Sequence, residues 1–343
     1  MIRILASLFM LAVLLVSLSL WGWVAGKIWR REQLLPIEPR RAVPWGLLDV
    51  ILALLIWFVI GMCAMQLLIA SGVPAPKAET LPEPRHLALQ LFVSGLTSLL
   101  ALACSACVMK LRTKATWQDL GLVPAKLLGD VLLGMLAFVM IAPPVYALQM
   151  VLVQFFPQFH PLINLLRESP DVRIFLASGL SVCVSAPLLE EYLFRGLLQG
   201  WLEALRRGVT MDEVLLGVKP AEVIVASPMP QEEAVAPYVA GNAEIDNPAV
   251  LLATTLPTDT YGQGTPANYS VSRWPTFVSA ALFALAHYSH GPAPIPLFFL
   301  ALGLGYLYQR THRLTPCIVV HFLLNSWTMV LLLIEVYLPM PKP

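Results

Sequence analysis

Ser185-Ala-Pro-Leu-Leu-Glu190-Glu191-Tyr-Leu-Phe-Arg195-Gly196 sets two adjacent carboxylates and an arginine inside an otherwise apolar helical run. A charged side chain at the centre of a bilayer costs about 2.5–3.5 kcal/mol on insertion scales, so three cost on the order of 10 kcal/mol before any pairing. On a helix Glu191 and Arg195 stand four residues apart, share a face and neutralise one another. Glu190 lies about 100° round the axis and has no local cation. A carboxylate kept from water and left unpaired is a candidate general base.

The surroundings make this a membrane problem. The chain is 58% hydrophobic and 13% charged, with mean hydropathy +0.73, whereas soluble domains run near 45–50% apolar and about 25% charged. The expected class is all-α, a polytopic transmembrane bundle of about eight helices. A net charge of +1 and the lack of a basic stripe interleaved with aromatics give no support to nucleic-acid binding. Cys104 and Cys107 form a CxxC, but inside an apolar run without a βαβ pattern, so small buried residues describe them better than a redox pair.

Outward from the glutamates, the apolar runs are Ile4–Gly26, Val50–Ala70, Leu87–Met109, Leu127–Phe156 and Arg173–Trp201. The first is read as an uncleaved helix, because the basic cluster Lys27, Arg30 and Arg31 follows it rather than precedes it. Pro143-Pro144 is expected to break or kink the fourth. Phe159–Asp171 reads as an interfacial connection. After Arg206-Arg207 the composition changes: Gly208–Ser272 is rich in Pro, Ala, Thr, Asn and Gly, and carries eight acidic residues against Lys219. It reads as an acidic, mostly disordered insertion, containing the glycosylation-like triplet Asn268-Tyr-Ser270. Trp274–Gln309 has no Asp, Glu, Lys or Arg, and Gly291-Pro-Ala-Pro-Ile-Pro296 splits it into pieces of about fifteen residues, roughly 22–24 Å each. Such short, proline-broken helices are tolerated where they line a cavity. Leu314–Tyr337 is the last span. The expected organisation is therefore residues 1–171 as N-terminal helices and 172–338 as the membrane domain that carries the glutamate pair, interrupted by 208–272.

Lys and Arg placement sets orientation. An external N-terminus puts Lys27–Arg41, Lys110–Lys114, Arg206-Arg207 and Arg310/Arg313 in the cytoplasm, together with the insertion.

Two further groups join Glu190. Phe283-Ala-Leu-Ala-His287 and His321-Phe-Leu-Leu-Asn325 each place a pair of chemically useful side chains on one helical face. Either alone reads as packing or interhelical hydrogen bonding; three helices each contributing polar groups at lipid depth read as a convergent site. His290 borders the Gly-Pro break as a lip residue, His312 lies in a basic loop, and His86 and His160 stand at helix ends. Gly196-Leu-Leu-Gln-Gly200 and Gly22-Trp-Val-Ala-Gly26 are close-packing patterns. The chain has no HExxH, GxSxG or P-loop pattern. A carboxylate base with imidazole and amide donors suits addition of water to a carbonyl. Glu190, His287 and His321 also suit zinc with an open water position. The residues leave both open, with Asn325 beside His321 favouring metal-free action.

Glu190-Glu191-x-x-x-Arg195-Gly196, Phe283-x-x-x-His287 and His321-x-x-x-Asn325 together resemble the three motifs of the CAAX prenyl endopeptidase and bacteriocin-processing (CPBP) family of intramembrane proteases. The resemblance implies that Glu190 activates water, that Glu191 and Arg195 support it, and that His287, His321 and Asn325 bind a metal or the oxyanion. It implies endopeptidase action on a membrane-associated or lipidated, CAAX-like substrate, with membrane lipid and a peptide or membrane protein as partners. The membrane would be the plasma (inner) membrane in a bacterium and the endoplasmic reticulum in a eukaryote. The insertion separates the first two motifs more widely than the family pattern leads one to expect; it gates the cavity, recruits a partner or is inert. The competing readings are a proton-coupled transporter, disfavoured by the absence of an internal repeat, and a catalytically idle immunity or scaffold protein.

Overall fold

The computed structural model describes residues 2–38, 42–75, 83–156, 166, 170–205, 210–217, 272–289 and 291–337. They form one helical unit; a second unit, Ala221–Ser272, lies almost wholly outside them. Outside them too are most of the expected interfacial connection, the Asn268 triplet, His160 and His290.

The helices are α1 (Ile2–Trp29), α2 (Leu47–Ala70), α3 (Pro84–Thr113), α4 (Leu127–Phe155), α5 (Val172–Ala204), α6 (Met211–Leu216), α7 (Trp274–Ala286), α8 (Pro294–Thr311) and α9 (Thr315–Tyr337). Six are long and apolar enough to cross a membrane: α1 to α5 and α9. With the short pair α7 and α8, the helices of the expected polytopic bundle are in place, and the chain is an integral membrane protein. α6 opens the acidic segment as an ordered turn and a half. Thr210 accepts from the Glu213 N–H, while Glu213 reaches back to the Thr210 N–H, a reciprocal cap that satisfies two end donors. Pro143 and Pro144 do not interrupt α4.

Lipid-facing Leu, Ile, Phe and Trp cover α1 to α4, and the buried core instead gathers around α5. Trp45, Tyr308, Met109 and Leu197, all but fully buried, come from four separate parts of the chain. α9 packs most extensively on α4, α7 on α8, and α2 on α3. Gly134 permits the first contact, since a Cβ there would lie 2.7 Å from Val319 Cβ. Gly200 does serve close packing: a Cβ there would meet Tyr308 Oη at 3.2 Å and Val43 Cγ1 at 3.4 Å, whereas one on Gly196 would make only ordinary contacts, 3.5 Å at the nearest. Among the described residues nothing lies within 4 Å of a Cβ at Gly22, and only the Arg30 side chain lies near one at Gly26, so this pattern makes no close helix contact there.

Two charge clusters tie loops to helix ends. Arg112 grips the buried carboxylate of Asp49 with Nε and Nη2, at 2.5 and 3.1 Å. Arg313 donates from Nε to Asp130 at 2.7 Å and from Nη1 to Glu38, and Lys126 Nζ reaches the same Glu38 oxygen at 2.8 Å. The guanidinium of Arg313, then Lys126, holds the Glu38 carboxyl below its usual 4.5, at about 2.

Candidate active site

α5 is a single run of helix wound unevenly. It is α-helical at Val172–Ser178, Ala186–Glu191 and Gly200–Ala204, and π-wound at Gly179–Ser185 and Tyr192–Gln199. The glutamates close the central α segment, between the two π windings. A π winding is intrinsically poorer than an α turn and gathers at functional sites. Here it is held by side chains from elsewhere. Asn325 Nδ2 donates to Val182 O at 2.8 Å, Ser279 Oγ to Phe194 O at 2.9 Å, Tyr308 Oη to Gly196 O at 3.3 Å, and Trp45 Nε1 to Leu197 O at 3.0 Å. Each bond adds a side-chain donor to a carbonyl of the windings inside a membrane protein, where an unmet backbone group costs several kcal/mol. Sequence reading found Asn325 by its motif and missed Ser279, Tyr308 and Trp45, whose partners are backbone atoms far along the chain.

The two glutamates part as the 100° step requires. Glu191 is fully buried (0% exposed) and Arg195 almost so, with Nε and Oε2 3.1 Å apart. That approach is an ion pair without hydrogen-bond alignment: among the described residues Oε2 and both Arg195 Nη atoms have no hydrogen-bond partner. The guanidinium instead lies over the Phe283 ring, 4.5 Å from its centroid. The other oxygen, Glu191 Oε1, takes His321 Nδ1 at 2.8 Å. Glu190 is about a quarter exposed, and its Oε2 faces His321 Nε2 at 3.9 Å and His287 Nε2 at 4.0 Å.

Both rings are oriented by their other nitrogen. His287 is the first residue beyond α7, and its Nδ1 lies 2.9 Å from Phe283 O. That carbonyl belongs to the last turn of the helix, where acceptors lack intrahelical donors. A carbonyl only accepts, so Nδ1 carries the hydrogen and the neutral ring leaves Nε2 as a lone pair. The Glu191 carboxylate likewise holds the hydrogen on Nδ1 of His321. The two Nε2 atoms thus converge on the Glu190 carboxylate. Phe283, fully buried, is the wall behind them: its centroid is 4.9 Å from His287, 5.9 Å from His321 and 5.2 Å from Phe194.

The structure therefore brings together Glu190, Glu191, Arg195, His287 and His321, with Asn325 four residues beyond His321 on α9 and bonded to the π winding before the glutamates. The candidate metal set Glu190, His287 and His321 offers suitable donors. Zinc holds such donors at about 2.0–2.2 Å, which sets neighbours of a tetrahedral site about 3.4 Å apart. The separations of 3.9 and 4.0 Å are wider, and among the described residues no group of three His, Cys, Asp or Glu side chains is placed to hold a metal ion. A single water at hydrogen-bond distance from both groups can span them.

A model of the Rce1-like family, type II CAAX prenyl endopeptidases, matches residues 260–327. Over this stretch the chain is similar to the Rce1-like family. The matched stretch includes Phe283, His287, His321 and Asn325, so it contains two of the three motifs; the Glu190-Glu191 motif lies before it and is joined to it by folding. The Rce1-like family is a protease family, and the membrane helices agree with it. No curated protein and no solved structure matches the chain.

Proposed function

We propose that this protein is an intramembrane endopeptidase that hydrolyses a peptide bond of a membrane-associated or lipidated, CAAX-like substrate with water activated by Glu190. The observation that carries this reading is the convergence of two oriented imidazole Nε2 atoms on the one glutamate of the pair that is partly exposed. A water between Glu190 Oε2 and the imidazoles gives one hydrogen to Glu190 and directs the other to His287 Nε2, which aims its oxygen lone pair at a substrate carbonyl. Attack forms the C–O bond as Glu190 takes the proton. Collapse of the tetrahedral intermediate breaks the C–N bond, and Glu190 returns the proton to the leaving amine.

Glu191 and Arg195 act through His321 and are positioning residues. We assign the developing oxyanion to His321 and Asn325. For His321 to donate from Nε2 it must carry both ring hydrogens, a form whose positive charge sits against Glu191. Asn325 has a second amide hydrogen beyond the one given to Val182.

The test uses purified protein in nanodiscs with a farnesylated peptide ending in a CAAX-like sequence, in water enriched in oxygen-18. The expected product is a shortened lipopeptide with one labelled oxygen in its new carboxylate, formed by wild type and not by Glu190→Gln. Glu190→Gln protein that cleaves at the wild-type rate would remove this mechanism. Comparing membrane proteomes from cells expressing the two forms would identify the native substrate.

A further inference from the structure

Two cavities away from the glutamates share walls. The first, about 580 Å³, is an apolar slot between α1, α4 and α8, lined by Trp23, Leu136, Met140 and Phe299 among others. α1 is tied across it by the Trp21 Nε1 hydrogen bond to Met140 O, 2.9 Å. The second, about 540 Å³, lies at the end of α1, the start of α7 and the end of α8, and presents Arg31, Arg273 and Arg310. Leu34, Leu302 and Tyr306 line both, so the apolar slot opens into the basic one. Glu32 is the one acidic residue lining the second cavity, and it is engaged by Arg30 at 2.7 Å and Lys27 at 3.6 Å.

Arg310 stacks on Tyr306, 5.2 Å from ring centroid to guanidinium carbon. Its Nε and Nη1 are shielded from solvent and have no hydrogen-bond partner among the described residues. Arg310 lines the cavity with these donors unmet by the protein, and a guanidinium gives charge-assisted hydrogen bonds to phosphate oxygens. From the structure we infer that this paired cavity binds one anionic phospholipid of the surrounding bilayer. An acyl chain lies in the slot between α1, α4 and α8, and the phosphate lies against Arg310 and Arg273. The basic mouth stands at the helix ends that Lys and Arg counts assign to the cytoplasmic leaflet, the side on which anionic lipids are recognised by basic pockets between spanning helices. Neither cavity is lined by Glu190, His287 or His321, so the site is separate from the proposed chemistry.

The test is native mass spectrometry of the full chain in detergent, offered equal amounts of phosphatidylglycerol and phosphatidylcholine with identical acyl chains. Wild type should retain about one phosphatidylglycerol in clear preference. Arg310→Gln and Arg273→Gln should each lower that preference about fivefold. Leu302→Trp, at the junction, should reduce retention of both lipids alike. Arg273 is exposed at the start of α7, so its variant serves if Arg310→Gln fails to fold. Equal retention of the two lipids by wild type, or an unchanged preference in the folded arginine variants, overturns the proposal. So does binding of chainless glycerophosphoglycerol as tightly as the lipid, which would mark a phosphate site only.

Discussion

Nδ1 of His321 lies 2.8 Å from Oε1 of Glu191, across 130 residues of sequence. That bond joins the last membrane helix to the glutamate helix and fixes which nitrogen of His321 faces Glu190. The glutamate pair is thereby divided: Glu191 is bonded to His321 and paired with Arg195, while Glu190 is partly exposed and faces the Nε2 atoms of both histidines.

The division predicts different phenotypes for neighbouring substitutions. Glu190→Gln should lower cleavage by about 10²–10⁴, the range of general-base contributions, with the thermal midpoint unchanged. Glu191→Gln leaves the buried Arg195 guanidinium without its counter-charge and should destabilise by about 3–5 kcal/mol. Thermal unfolding in detergent, run beside the peptide assay, separates them; similar midpoints for the two variants would contradict the assignment.

Phe283→Ala removes the surface on which Arg195, His287 and His321 rest. Truncation of a fully buried Phe costs about 3–5 kcal/mol, so the midpoint should drop. Phe283→Leu should recover most of the stability but less of the cleavage rate, because a flat wall no longer orients the two rings.

Asn325→Leu leaves Val182 O in the first π winding without its side-chain donor. The expected cost is about 1–3 kcal/mol, and Glu190 should shift with the winding, lowering kcat. Ser279→Ala removes the corresponding donor to Phe194 O in the second winding. It should destabilise by a similar amount, and a full wild-type rate in both variants would show that the windings do not position the glutamates.

Chelation distinguishes water activated by glutamate from water activated by a bound ion. Incubation with a strong chelator followed by gel filtration should leave cleavage and thermal midpoint as before. Loss of activity restored by zinc would assign Glu190, His287 and His321 as ligands instead.

Acid stability should follow Glu38. Its carboxyl titrates at about 2 when folded, against a usual 4.5, so the unfolded chain binds the proton more tightly than the folded chain. The stabilisation is therefore fully present above pH 4.5 and is lost as pH falls toward 2. Glu38→Gln should flatten that part of the acid-unfolding profile. The effect is small because Glu38 is a third exposed and screened by solvent. An unchanged profile would mean that the contact with Arg313 and Lys126 does not persist in solution.

The membrane spans, the pairing of Glu191 with Arg195 and the three motifs could be read directly, because hydropathy and four-residue spacing are properties of neighbouring residues. The short helices α7 and α8 were legible for the same reason: Gly291 and the prolines around it interrupt a run without charges. The span Leu127–Phe156 was legible too, but not that its helix runs unbroken through Pro143-Pro144, where packing of α4 against α9, α8 and α1 outweighs the local break. Nor were the π windings of α5, whose carbonyls are satisfied by Asn325, Ser279, Tyr308 and Trp45 from four other parts of the chain. By itself the sequence determined that a carboxylate pair, two imidazoles and an arginine sit in membrane helices. Only the tertiary structure decided which carboxylate stays open and which nitrogens face it, because those choices rest on His321 meeting Glu191 and on Phe283 backing both rings, contacts made by chain segments that meet only on folding.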